Sequence, residues 1–212
     1  MAPESSRRIP RLYVVTDQQQ TANRPLAEVI AAATRGGAGM VQLREKDLSA
    51  RELYALGVDI KEVLEPHNIP LLINDRLDVA QALDAAGVHL AGHSLPTGPA
   101  RRVLGPQKLL GVSTHSVEQA RLAMDEGADF VVFGPVFATP SKASYGSPQG
   151  LQRLADVVRQ VTIPVLAIGG IDSTNLSRVL TTGAHGIAMI RAVLAAADPF
   201  VATKQLRSML PA

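Results

Sequence analysis

Apolar residues in this chain gather in short runs of four or five, and the stretches between them carry helical spacing. Four runs follow small residues: Gly37-Ala38-Gly39 before Met40-Val41-Gln42-Leu43, Ala85-Ala86-Gly87 before Val88-His89-Leu90, Gly127-Ala128-Asp129 before Phe130-Val131-Val132-Phe133, and Gly183-Ala184-His185 before Gly186-Ile187-Ala188-Met189. Each reads as a helix end feeding a buried strand. The alanines at 38, 86, 128 and 184 lie 48, 42 and 56 residues apart, room for two strand–helix units per interval. Four more apolar runs fall between them, at 12–15, 70–73, 108–112 and 164–168, and 27–34 and 51–64 are helical patterns in the intervening segments. Eight strands alternating with helices imply a parallel sheet, and the regular spacing predicts closure into a single-domain (β/α)8 TIM barrel of the α/β class.

Composition narrows the setting. A chain of 212 residues that is 46% hydrophobic can bury one core and suits one domain. No run is long enough to span a bilayer. Residues 1–10 carry Arg7 and Arg8 without an apolar segment, so they read as a disordered tail before a barrel domain over 11–212, and the expected location is cytoplasmic. With no cysteine there are no disulfides or thiolates, which leaves oxygen and imidazole chemistry. A net charge of +2 with 3% aromatics argues against nucleic acid or membrane as a partner, and leaves a homo-oligomer open.

Helix starts fix the polarity of the candidate chemistry. Ser49 with Glu52, and Ser116 with Gln119, have capping-box spacing, which places Arg44 and Lys46, and Ser113 and His115, on loops leaving strands 2 and 5. By the same reasoning Asn74-Asp75-Arg76 follows strand 3, His93-Ser94 follows strand 4, and Thr139, Ser141 and Lys142 follow strand 6. The C-terminal ends of the strands are where a barrel of this type keeps its chemistry. Gln42-Leu43-Arg44-Glu45-Lys46 is either a solvated strand end or an anion clamp. Asn74-Asp75-Arg76 either caps a helix or faces a phosphate or metal. His115 either holds a loop carbonyl or moves a proton. His89, within a strand, reads as structural, and His67 as a helix end. The segment around Pro140, Tyr145 and Gly146 is a connector or a lid delivering Lys142. Ala167-Ile168-Gly169-Gly170-Ile171 and, about twenty residues on, Ile190-Arg191 each run from a strand into a helix start, so their N–H groups could converge on a phosphate. Gly169-Gly170 is also what a tight turn requires.

Six segments occur in the order found in one known family: Gln42-Leu43-Arg44-Glu45-Lys46, Asn74-Asp75-Arg76, Gly87-Val88-His89-Leu90, Gly111-Val112-Ser113-Thr114-His115, Gly134-Pro135-Val136-Phe137-Ala138-Thr139-Pro140-Ser141-Lys142 and Ala167-Ile168-Gly169-Gly170-Ile171. Over about residues 12–191 the chain resembles the thiamine-phosphate synthase and TenI superfamily. That resemblance implies a (β/α)8 barrel acting in vitamin B1 assembly on a phosphorylated thiazole.

The two branches differ in chemistry. Synthases join hydroxymethylpyrimidine diphosphate to thiazole phosphate and release diphosphate with Mg2+. The resemblance then implies diphosphate binding by Arg44, Lys46, Asn74 and Lys142, and metal binding by Asp75 with a second aspartate, where this chain has Ser94. The TenI branch aromatises a carboxylated thiazole phosphate by proton transfer without a metal or other cofactor, and His115 matches its acid/base. Ser94 favours the tautomerase, with no bound metal. The synthase, with Mg2+ at Asp75, is the alternative, and a non-catalytic thiazole phosphate sensor the third. In either enzymatic reading Gly169, Gly170, Ile190 and Arg191 hold phosphate, and Gln42, Ser113, Thr139 and Ser141 line the substrate.

Overall fold

All eight apolar runs are strands in the computed structural model, which describes residues 8–139 and 147–212. They are β1 (Leu12–Val15), β2 (Met40–Leu43), β3 (Leu71–Asn74), β4 (Gly87–Leu90), β5 (Leu109–Thr114), β6 (Phe130–Phe133), β7 (Val165–Ile168) and β8 (Gly186–Met189). Every neighbour is parallel, and β1 pairs with both β2 and β8, so the sheet closes in sequence order. Nine α-helices accompany them: α1 (Leu26–Arg35), α2 (Ala50–Leu64), α3 (Leu77–Ala82), α4 (Thr97–Leu104), α5 (Val117–Asp125), α6 (Gly150–Gln160), α7 (Leu176–Leu180), α8 (Arg191–Leu194) and α9 (Pro199–Met209) among the described residues. None is long and apolar enough to cross a membrane.

Alternation along the strands divides the core in two. Side chains of one parity, such as Val14, Val41, Leu43, Ile73, Val131 and Ile187, pack outward against the helices. The other parity fills the barrel with Tyr13, Val15, Met40, Leu72, Phe130, Val132, Leu166 and Ala188. Glycines at inward positions make room for the large rings. A Cβ on Gly111 would collide with the Phe130 ring and lie 2.6 Å from His89 Nδ1.

Helix starts follow the sequence in one case and differ in the other. At α2 both halves of the capping box form between Ser49 and Glu52. At α5 Ser116 accepts from the Gln119 N–H, but the Gln119 side chain reaches one residue farther back and accepts from the His115 N–H at 2.7 Å. The glutamine therefore holds the backbone of a candidate site residue. The expected tail also enters the fold earlier than residue 11. Ile9 is buried inside the barrel, and its carbonyl accepts from His185 Nε2 at 2.7 Å. Residues 1–7 of that tail lie outside the described residues.

Candidate active site at the C-terminal ends of the strands

Because every strand is parallel, the loops leaving their C-terminal ends form one rim. Arg44 and Lys46 follow β2, Asn74 closes β3 with Asp75 after it, His93 and Ser94 follow β4, His115 follows β5, Thr139 lies after β6, Gly169 and Gly170 follow β7, and Ile190 and Arg191 follow β8. Ser141 and Lys142 lie outside the described residues.

The upper interior of the barrel is polar on one side. Counting by twos from Met40 and Leu72 brings Gln42 and Asn74 inward, and Gln42 Nε2 donates to Asn74 Oδ1 at 2.8 Å. His89 and Ser113 occupy the same side, with His89 Nε2 2.9 Å from Ser113 Oγ. Ser113 lies within β5 and not, as expected, on the loop after it, because the strand runs on through Thr114 in register with β6. The opposite side at this level carries Val132, Ile168 and Ile190. The barrel mouth thus offers amides, a hydroxyl and an imidazole facing an apolar wall.

His89, read from the sequence as structural, is a buried strand residue inside the barrel. It packs among the rings of Tyr13 and Phe130, with centroids 5.8 and 5.9 Å away. Its Nδ1 and the Tyr13 hydroxyl find no hydrogen-bond partner among the described residues. Desolvation by burial lowers its pKa to about 3, with Asp75 pulling the other way and Arg44 adding to the depression. His89 is therefore neutral in the folded state. Since unfolded histidine titrates near 6.5, the unfolded chain binds the extra proton first, and stability is lost as pH falls from about 6.5 toward 3. Lowering pH from 7 to 5 costs about 2 kcal/mol through this residue. Urea unfolding at the two pH values should show that loss in the native protein and lack it in His89→Gln; equal losses in both would assign the acid sensitivity elsewhere.

Asp75 is the centre of a second network. Its backbone is left-handed, with φ of 60°, and its N–H donates to the His89 carbonyl at 3.0 Å. One carboxylate oxygen accepts from the Ser94 hydroxyl, and the other accepts from Asn74 Nδ2 at 3.0 Å and lies 3.3 Å from His93 Nε2. Ser94 Oγ in turn accepts from the Ala91 N–H at 2.6 Å. Ser94 therefore holds the Asp75 carboxylate, a contact that its residue type alone did not reveal. Arg76 turns away and pairs with Asp78 at 2.5 Å. No cluster of three or more potential metal ligands occurs among the described residues.

His115 Nδ1 lies 2.5 Å from the Gly134 carbonyl. A carbonyl only accepts, so Nδ1 carries a proton and neutral His115 keeps its lone pair on Nε2. The side chain is exposed, on the loop between β5 and α5. Across the rim, Gly169 and Gly170 adopt φ of 98° and 62°. A Cβ on Gly170 would sit 2.6 Å from the Ala138 carbonyl oxygen and 2.8 Å from Phe137 Cβ. The neighbouring loop therefore forbids a side chain here, in line with the tight turn that Gly169-Gly170 suggests. Arg191 opens α8, so its N–H lacks an intrahelical acceptor.

Sequence comparison agrees with this geometry. A family model described as thiamine monophosphate synthase matches residues 12–193. The thiamine-phosphate synthase of Roseiflexus sp. (strain RS-1) is 46% identical over 199 residues, 94% of this chain and 84% of that protein. The one from Albidiferax ferrireducens is 45% identical over 202 residues, 95% of this chain and 92% of its own. A thiamine phosphate pyrophosphorylase structure from Pyrococcus furiosus superposes with a TM-score of 0.86 at 38% identity, covering 94% of both chains. The eight-stranded barrel, its polar rim and these full-length matches establish that the chain belongs to the thiamine-phosphate synthase and TenI superfamily, and so among the enzymes of thiamine biosynthesis.

Proposed function

We propose that this chain is a thiamine-phosphate synthase, coupling hydroxymethylpyrimidine diphosphate to thiazole phosphate with release of diphosphate. The observation that carries the reading is the run of relatives at 42–46% identity, named as synthases, that align over nearly all of the chain. The sequence pattern had favoured the tautomerase because Ser94 replaces a second aspartate. In the structure Ser94 remains tied to Asp75, which weakens that ground.

The reaction fixes what the rim must do. As the bond to the thiazole forms, the C–O bond to the diphosphate breaks and the leaving group takes the electron pair. Arg44 and Lys46 supply positive charge for that group, with Asn74 as a neutral donor. Lys142, outside the described residues, completes the proposed set with Ser141 and Thr139. Gln42 and Ser113 hold the pyrimidine side, and the N–H groups around Gly169-Gly170 and Ile190-Arg191 hold the thiazole phosphate.

Mg2+ fits this rim in a limited way. Asp75 offers a carboxylate where β3 ends, and Mg2+ is commonly held by one or two carboxylates together with substrate phosphates. Asp75 would hold a cation that comes with the diphosphate, with no ready-made cage. When bound it neutralises charge on the leaving group. Asp75 stays oriented by Ser94 and Asn74. Ser94→Asp adds a second carboxylate beside the first, and should tighten Mg2+ binding in the absence of substrate by roughly tenfold, read by calorimetry. Unchanged affinity would remove Asp75 from the cation site.

A test of the whole reading uses both substrate sets, with and without Mg2+. The expected result is thiamine phosphate and diphosphate in equal amounts, dependent on Mg2+. Turnover of the carboxylated thiazole phosphate in a chelator, lost in His115→Asn and without coupling, would install the tautomerase instead. Thiazole phosphate binding without either turnover would mark a sensor.

A further inference from the structure

Among the described residues, Glu45 is the only buried acidic side chain. It stands between Arg44 and Lys46, where ion pairing with either would compete with an anionic ligand. Its oxygens face the loop after β1 instead. Oε1 accepts from the Thr16 hydroxyl at 2.6 Å and Oε2 from the Gln18 N–H at 3.0 Å. The Thr16 hydroxyl oxygen accepts in turn from the Arg44 N–H at 2.8 Å, and the Thr16 N–H donates to the Gln42 carbonyl at 2.9 Å. Burial pushes the Glu45 carboxyl up, with Asp17 adding to the rise, while the bonds from Thr16 and Gln18 and the charge of Arg44 pull it back. The ionised form has two donors aimed at it, and a buried carboxylate is kept ionised by such donors.

We infer that Glu45 is a positioning residue: through the Thr16 hydroxyl it fixes the backbone at Arg44, and so sets where Arg44 and Lys46 stand at the rim for the diphosphate. This rests on the reading of those two cations as the diphosphate-binding pair. A hydroxyl that donates to a carboxylate becomes a better acceptor, so the Glu45–Thr16 bond strengthens the Thr16–Arg44 bond in series. The same link ties the loops after β1 and β2, whose strands pair from Tyr13–Met40 to Val15–Gln42.

Three variants separate positioning from plain stability. Glu45→Gln keeps one acceptor but turns an amide N–H2 toward a donor, Thr16→Val removes the hydroxyl, and Thr16→Ser retains it. In the first two, exchange of the Arg44 amide should quicken at least about tenfold beyond any change at β6, and the Kd of Mg2+-diphosphate should rise about tenfold. Thr16→Ser should stay near the native values, and the double variant Glu45→Gln/Thr16→Val should lose no more than Thr16→Val alone. Arg44 exchange that rises only in step with β6 would reduce Glu45 to general stability and overturn the inference. Native diphosphate binding with equal binding by both variants overturns it as well. If the native protein itself binds no diphosphate, the reading of Arg44 and Lys46 falls, and the inference with it.

Discussion

Arg44→Ala lowers kcat/KM for the pyrimidine diphosphate by about 10²–10³-fold, which corresponds to losing one preorganised donor to a developing anion. Arg44 is half-buried at the end of β2, and its backbone is held by the Thr16 hydroxyl, so the position survives truncation of the side chain. Charge develops on the leaving diphosphate as the C–O bond breaks, so the loss should fall largely on kcat, with a smaller rise in KM. Arg44→Lys retains charge but loses the planar pair of donors that a phosphate can accept from together, and an intermediate loss is expected. Steady-state kinetics with diphosphate release as the readout would settle both. Near-native turnover of Arg44→Ala would move the leaving group away from β2, leaving the region of Asn74 and Asp75 to be tested next.

Strand identity was readable because short apolar runs after a helix-ending glycine permit few alternatives; Phe130-Val131-Val132-Phe133 is buried at every position, as an inner parallel strand requires. The placement of Arg44, Asp75 and His115 was readable for a related reason: once strand and helix alternate, the loop after each strand must fall on one rim. Partners across the barrel were not. Ser94 looked like a missing ligand because residue type says nothing of a contact with Asp75, 19 positions earlier. His89 read as structural and is buried, but a strand pattern does not say on which face; the register, in which His89 pairs with Asn74 and Gly111, places it inside the barrel beside Ser113. Gln119 fitted a capping box by spacing, yet its side chain met the N–H of His115, one residue before the N-cap. Glu45 lay within a quoted motif, and its role depends on a loop 27 to 29 residues earlier in the chain. For Ser94, His89 and Glu45 the missing information was a long-range contact, whereas at Gln119 it was a local choice between two neighbouring N–H groups.

Gly170→Val destabilises the fold by roughly 2–5 kcal/mol, before any effect on phosphate. Two independent costs add. A β-branched residue at φ of 62° sits in the left-handed region, at about 1–2 kcal/mol. Its Cβ would also approach the Ala138 carbonyl oxygen to 2.6 Å and Phe137 Cβ to 2.8 Å, and overpacking of that kind costs about 1–3 kcal/mol. The obstacle is the backbone of the loop after β6, which is itself tied down where Val136 donates to the Ile168 carbonyl at 2.8 Å and Phe137 to the Gly169 carbonyl at 3.0 Å. Relief would have to come from separating the β6 and β7 loops. Gly170→Ala meets the same Cβ clash without the branching and should lose less. Gly92 provides the contrast: a Cβ there meets nothing within 4 Å, so Gly92→Ala should stay within about 0.5 kcal/mol of the native protein. Urea unfolding of the three variants orders them as Gly92→Ala, Gly170→Ala, Gly170→Val. If Gly170→Val unfolded like the native protein while thiazole phosphate binding collapsed, the glycine would be serving the ligand directly, and the loop-against-loop account of this turn would be wrong.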